Sequence, residues 1–528
     1  MIEEYVEHKN IVSKKIKKRL YQELLTAKAL ETNSLVVAPT GLGKTIVAVL
    51  LIAYKFDIKK NILFLAPTKP LVTQHKKSLD SLLTISEDDI LLLTGQTKPE
   101  DRKKIYSQKG KVICATPQTI NNDLKKGLID INSFNIIIYD EAHRAVGDYA
   151  YVLIAKVFEE NSNLKKLALT ASPGSNRDKI SEIKDNLFLN HIEIRTDSDL
   201  DVIDYIKDVE IEVIFCDLDK VSLEISNIID SYIDSKINLL RKFGVIIPNN
   251  YSKKQLLIFQ AKIFEKLKSS NNSLHFLSLS AISSVLKFYH AKELVQTQGV
   301  VALRNYLDKI FLESKDQKSS KATKGIVNSE EYKKIRLILL KLDFSKPLYS
   351  KEIKLIEIVS SFIKENKNSK VLIFNNYRDN ASHLSNVLNT NKLIKATRFV
   401  GQANKGLSDK GLSQKEQIQI IKDFRDNKFN TLVCTSVGEE GLDIPSVDLV
   451  IFYDAVASEI RSIQRRGRTG RFNTGKVYIL LNKDTIDQHY YYVSINKEKS
   501  MKKTLKNFYD YKPRLKKVLK KQKTIRDY

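Results

Sequence analysis

Three short runs in this 528-residue chain carry residues whose types and spacing could do phosphoryl chemistry. The first is APTGLGKT at 38–45, entered from the apolar run SLVVA and leaving into TIVAVLLIAYKF. A strand, a glycine-containing loop and a helix in that order is the setting a phosphate-binding loop requires. Gly41 and Gly43, without a Cβ, let backbone N–H groups approach phosphate oxygens. The opening turn of the helix adds partial positive charge there. Thr40, Gly41, Leu42, Gly43, Lys44 and Thr45 are therefore the candidate ATP-binding loop. Lys44 would reach the outer phosphates, and the Thr45 hydroxyl would hold Mg²⁺. The general pattern has Gly where Ala38 stands, and the competing reading is an ordinary glycine turn.

The second run is IIIYDEAH at 136–143, in which apolar residues end in adjacent carboxylates. Ligands of open α/β sheets bind at the carboxyl ends of the strands. Asp140 would hold Mg²⁺, and Glu141 would orient and deprotonate the attacking water. The third run is QRRGRTGR at 464–471. Arg468 and Arg471, three residues apart, share one face of a helical turn. Supplied across a cleft, such arginines neutralise charge developing on a γ-phosphate. Arg466 could instead bind a phosphate backbone.

These runs need elements to hold them. SLVVA (34–38), NILFLAP (61–67), KVICATP (111–117), FNIIIYD (134–140) and KKLALTAS (165–172) read as strands buried on both faces of a parallel sheet. KVLIFNN (370–376), NTLVCTS (430–436), VDLVIFYD (447–454) and GKVYILLN (475–482) repeat the theme. The expected fold is α/β: two P-loop-type domains, parallel sheets with helices on both faces, plus an inserted all-helical domain. The expected boundaries are 1–205 and 346–495 for the α/β domains and 206–345 for the insert, with a basic tail over 496–528. SKDQKSSKATKG (314–325) reads as an exposed loop.

The chain holds 88 Lys and Arg against 62 Asp and Glu, a net charge of +26. A field of this sign draws polyanions, although a lysine-rich solubilising surface reads the same way. Three distant cysteines, Cys114, Cys216 and Cys434, exclude a disulfide scaffold and suit a reducing compartment. No apolar run reaches the length of a membrane span. The first ten residues are too acidic and polar for a secretory signal.

The three runs stand in the order of a superfamily 2 helicase, and the intervening motifs resemble it too. RLYQ (19–22) resembles the adenine-reading element, with Gln22 on the base. APTKPLV (66–72) and ATPQT (115–119) resemble nucleic-acid backbone contacts, giving Thr68, Lys69 and Thr116. LTAS (169–172) resembles the coupling element, with Thr170 and Ser172 joined by His143. TSVGEEGLDIP (435–445) resembles the second domain's strand contact through Thr435, with Asp443 near the ribose. Gln464 joins the arginines as a catalytic candidate.

More narrowly, LAPTKPLVTQH, LTASPGS, RFVGQA, GLSQKEQ and IRSIQRRGRTGR resemble the helicase part of archaeal Hef, with FANCM and Mph-type translocases as the related branch. HAKELVQTQGVVALRNYLDKI (290–310) resembles the helical insert of that family. The resemblance implies RecA-like domains and the cofactors ATP and Mg²⁺. It implies 3′–5′ movement on forked or branched DNA, possible replication or repair proteins as partners, and an intracellular, nucleoid-associated place in an archaeal-type cell. No GDxxxERKxxxD nuclease arrangement occurs, so a motor without nuclease is expected. Two alternatives remain open: an RNA or double-stranded RNA translocase, and a junction-binding protein whose ATP site is a relic.

Overall fold

The computed structural model describes residues 4–206, 209–269, 272–344, 346–402, 411–439, 444–469 and 475–510. The first α/β domain runs α1 (Leu20–Glu31), β1 (Ser34–Val37), α2 (Lys44–Lys55), β2 (Asn61–Leu65), α3 (Lys69–Leu82), β3 (Ile90–Leu93), α4 (Pro99–Tyr106), β4 (Val112–Ala115), α5 (Pro117–Lys125), β5 (Phe134–Tyr139), α6 (Ala150–Phe158), β6 (Lys165–Thr170), α7 (Arg177–Asn186) and β7 (His191–Ile194). Its seven strands lie in the order β3-β4-β2-β5-β6-β1-β7, and every pairing is parallel. The near-continuous apolar runs follow from burial on both faces. In β1, Leu35 and Val37 pack into one core, and Val36 packs into the core on the other face.

β8 (Val209–Cys216) then leads into a bundle of α8 (Lys220–Lys242), α9 (Lys253–Ser269), α10 (Ser273–Thr297), α11 (Val300–Ser314), α12 (Lys321–Val327) and α13 (Glu330–Leu340). The bundle has its own core, including Ile225, Ile229, Ile282, Val285 and Phe288. The second α/β domain comprises α14 (Ser350–Glu365), β9 (Val371–Phe374), α15 (Arg378–Leu388), β10 (Ala396–Phe399), α16 (Gln414–Arg425), β11 (Thr431–Cys434), β12 (Leu449–Phe452), α17 (Glu459–Arg466), β13 (Gly475–Asn482) and α18 (Ile486–Asp510). Its strand order is β10-β11-β9-β12-β13-β8, again parallel throughout.

Three expectations need correction. The segment 206–345 is not all helical: residues 209–216 pair with 475–482 at the edge of the second sheet. In VEIEVIFC only Val209, Val213 and Ile214 pack against the second domain's core, and the exposed Glu210 and Glu212 interrupt the apolar run that marks the other strands. The stretch 314–325 is not wholly loop, because α12 begins at Lys321, where the Ser320 hydroxyl accepts from the Thr323 amide. Nor does the tail start at 496. α18 continues to 510, and its residues Met501 and Leu505 are buried in the core of the first domain. Residues 511–528, and with them the rest of the expected basic arm, lie outside the described residues. Among the described residues no helix is long and apolar enough to cross a membrane. The three cysteines are buried free thiols.

Candidate active site

The loop between β1 and α2 is pinned from α1. The Tyr21 hydroxyl and the Gln22 Nε2 both donate to the Leu42 carbonyl, at 2.8 and 3.0 Å. Gly43 adopts φ +70°, and a Cβ there would come within 2.8 Å of Gln22 Nε2, so only glycine fits. Lys44 opens α2 and folds back, donating from Nζ to the carbonyls of Ala38 at 2.9 Å and Pro39 at 3.1 Å. Desolvation holds its ammonium below the ordinary lysine range, against the opposing pull of Glu141 and Asp140. Thr40 is exposed, and Thr45 is half-buried on the first turn of α2.

The carboxylates follow β5, whose central position carries them to the sheet's carboxyl edge. Asp140 is buried: its Oδ2 lies 2.7 Å from His75 Nε2, and its carbonyl accepts from the Tyr151 hydroxyl at 2.6 Å. Glu141 sits in the left-handed region with φ 51° and ψ 49°. A non-glycine residue held there stores about 1–3 kcal/mol of strain, a feature concentrated at functional sites. His143 Nδ1 lies 3.3 Å from both Glu141 Oε2 and Thr170 Oγ1, and Thr170 Oγ1 accepts from the Ser172 amide at 3.2 Å. Glu141 and LTAS are thus joined through the one imidazole nitrogen of His143, while the Asp140 carboxylate is held separately by His75.

α17 brings the second domain to this loop. A Cβ on Gly467 would lie 2.7 Å from Thr40 Oγ1, so the end of α17 needs glycine to come this close. Ile463 of α17 packs against the first domain's core. Arg468 is buried and donates from Nη2 to the Glu439 carbonyl at 2.7 Å, and so is turned into its own domain. Arg466 pairs with Glu498 of α18 at 2.5 Å. Arg471 and Asp443 lie outside the described residues.

A cleft of about 1170 Å³ opens beside the seam, with Thr68, His143, Arg144, Glu439, Arg461 and Gln464 on its walls. Thr68 has a buried hydroxyl with no partner. Lys69 Nζ bonds Gln96 Oε1 at 2.5 Å, and Thr116 Oγ1 lies 2.9 Å from Thr119 Oγ1. Thr435 is buried. Of the four expected nucleic-acid residues, only Thr68 lines this cleft.

Reading motifs alone misses His75 and the buried cluster around Glu439. His75 lies in LVTQH, where the i, i+3 placement from Val72 marks it as a core-facing position of α3. Arg465 is adjacent to the arginines singled out, yet it is the fully buried one. It binds Glu439 Oε1 from Nε at 2.8 Å and the Asp454 carbonyl from Nη1 at 3.1 Å. Only the structure distinguishes it from Arg466.

The chemistry available is that of a nucleotide site: a loop of backbone amides, a lysine, and paired carboxylates. The hard oxygen donors of Thr45 and Asp140 suit Mg²⁺. Among the described residues no cluster of three or more His, Cys, Asp or Glu could hold a metal, so such an ion would lean on the nucleotide for its remaining ligands.

Residues 8–175 match the family described as type III restriction enzyme, res subunit, and residues 351–473 match the helicase conserved C-terminal domain. Residues 221–346 match the helical bundle of a putative ATP-dependent RNA helicase. The chain is 41% identical to the crystal structure of the Pyrococcus furiosus Hef helicase domain, with TM-score 0.66, covering 90% of this chain and 98% of that one. It is 41% identical to a putative ATP-dependent RNA helicase of Methanocaldococcus jannaschii, over 95% of this chain and 62% of the relative. It is 35% identical to the ATP-dependent DNA helicase MPH1 of Pyricularia oryzae, over 92% of this chain and 45% of that protein. The chain therefore spans less than two thirds of the length of each of these two relatives.

Proposed function

The chain belongs to the Hef-type family of superfamily 2 helicases, which are ATP-hydrolysing motors, and from that premise we propose that it couples ATP hydrolysis to 3′–5′ movement along DNA, unwinding or remodelling forked and branched structures. The observation that carries this reading is the approach of Gly467 to Thr40, with the arginine turn of one domain against the phosphate loop of the other. The net charge of +26 supports a polyanionic track.

In this reading Lys44 exchanges the Ala38 and Pro39 carbonyls for the outer phosphates. Gln22, tied to the loop, reads the adenine edge, and Asp443 lies near the ribose. Thr45 and Asp140 would hold Mg²⁺, which supplies charge neutralisation at the phosphates. Glu141 positions the attacking water and accepts its proton. Arg468, with Arg471 and Gln464, faces the γ-phosphate once the domains close. His143, Thr170 and Ser172 relay the state of Glu141 to the cleft, where Thr68 contacts the strand's phosphates, with Lys69, Thr116 and Thr435 as further backbone contacts outside the cleft walls. Such contacts track without reading sequence. The proposed units are 1–205, the bundle over 206–345 with β8 lent to the second sheet, and 346–495, from which α18 carries the chain across to the first domain. The replacement Lys44→Ala removes a charge-assisted contact, and ATP binds about ten- to a hundredfold more weakly by calorimetry. Unchanged affinity would defeat the phosphate-loop assignment.

An RNA track is the second reading, favoured by the helical-bundle match and by the name of the M. jannaschii relative. ATP turnover measured with forked DNA and with forked RNA of the same sequence separates the two. Stimulation several-fold higher with DNA is expected, and stimulation by RNA alone reverses the assignment.

A further inference from the structure

α10 enters the second domain rather than ending on its surface. Its last residues, Glu293 to Thr297, are buried, and so is Gln298 that follows. Gln298 Oε1 accepts from the Nδ2 groups of Asn375 at 2.6 Å and Asn380 at 2.9 Å. Its Nε2 donates to Asp454 Oδ2 at 2.6 Å and approaches Thr297 Oγ1 at 3.2 Å. One amide side chain thus fills its whole hydrogen-bonding capacity, three of its four bonds going to a domain to which its helix does not belong. Asp454 Oδ2 also accepts the Asn376 amide at 2.9 Å, and its Oδ1 lies 3.4 Å from Arg465 Nη1. Arg465 continues to Glu439, whose carbonyl holds Arg468. The path from the end of the bundle runs through the buried side chains of Gln298, Asp454, Arg465 and Glu439 and reaches Arg468, the residue after the glycine that meets the phosphate loop, through the Glu439 carbonyl.

An apolar contact here would let the helix end slide. A fully satisfied polar network admits one arrangement, because any displacement strands a buried donor or acceptor. We infer that Gln298 is a positioning residue, through which the seating of the helical bundle on nucleic acid sets the pose of Arg468 for ATP hydrolysis. This rests on the proposed function, with the helical bundle touching the nucleic acid and Arg468 as the arginine that faces the nucleotide. Gln298 itself touches neither nucleotide nor strand.

The test is Gln298→Met, which keeps the length and removes the hydrogen bonds. The readout is the ratio of ATP turnover at saturating forked DNA to turnover without DNA. Partial unfolding lowers both rates equally and cancels, so a merely structural role leaves the ratio alone. The ratio is expected to fall about tenfold, with the DNA concentration for half-stimulation within twofold of wild type. A ratio within twofold of wild type, or one restored by more DNA, overturns the inference. If Gln298→Met yields no soluble protein, Asn380→Ala, which removes one donor to the same amide, decides it: a lowered ratio sustains the inference and an unchanged one ends it. A wild-type protein unresponsive to any nucleic acid sinks the motor reading itself, a failure seen without any variant.

Discussion

Glu141→Gln is expected to bind ATP as wild type does and to turn it over about 10²–10⁴-fold more slowly. General-base catalysis contributes a factor of that size, and glutamine cannot take the proton from water. The amide preserves the volume and the Cβ, so the left-handed backbone at φ 51° carries the same strain in both proteins. Unfolding free energies should therefore agree within about 0.5 kcal/mol, the range for changes that touch no buried feature. His143, 3.3 Å from the carboxylate, loses an ionic neighbour but keeps an acceptor in the side-chain oxygen. Single-turnover hydrolysis with radiolabelled ATP checks the rate, and nucleotide titration checks the binding. Hydrolysis at the wild-type rate would remove Glu141 from the mechanism and return His143 or another group to consideration.

Arg465→Met is expected to destabilise the second domain by about 3–5 kcal/mol, the usual cost of breaking a buried ion pair from one side. Arg465 has no exposed surface, and its guanidinium binds Glu439, Asp454 and Asn376 Oδ1. It also lies over the rings of Phe374 and Phe452, at 5.1 and 5.4 Å. Methionine fills much of the volume and leaves two buried carboxylates short of a cation. Arg461 shares Glu439 through bonds of 2.8 and 2.9 Å but is about a third exposed. Its replacement by alanine should cost roughly 1 kcal/mol, since solvent screens it. Urea unfolding of the two variants beside wild type reads the difference. Equal losses would mean that the buried arginine is no more than a surface pair in disguise.

The nucleotide site was legible because its chemistry is local. A loop that must present amides needs glycine in a fixed place, and carboxylates at a strand end need the apolar run before them. Both leave marks within eight residues. The short outer strands β3, β7 and β10 were not legible, because four residues such as ATRF carry too little alternation to stand out. β8 was hidden by its exposed charges, and it pairs with a strand more than 260 residues later in the chain. Nor did QRRGRTGR reveal which arginine is buried. That depends on Glu439 and Asp454, which the chain brings in from elsewhere. Gln298 lies within a run resembling the helical insert, but Asn375, Asn380 and Asp454, which fix it, belong to the other domain.

α18 has a consequence for how far the motor can gape. Its start is fixed in the second domain, where Asp487 and Lys351 make a fully buried pair at 2.6 Å. Its far half lies on the first domain through Met501 and Leu505, with Ser500 and Thr504 hydroxyls on the Ser175 carbonyl. Twenty-five helical residues make a stiff rod about 37 Å long. Rocking of the two lobes about this rod leaves both ends seated. Pulling them straight apart uncovers Met501 and Leu505, at about 1.5–3 kcal/mol each. The rod thus acts as a leash that makes rotation the cheap motion and outright separation the dear one.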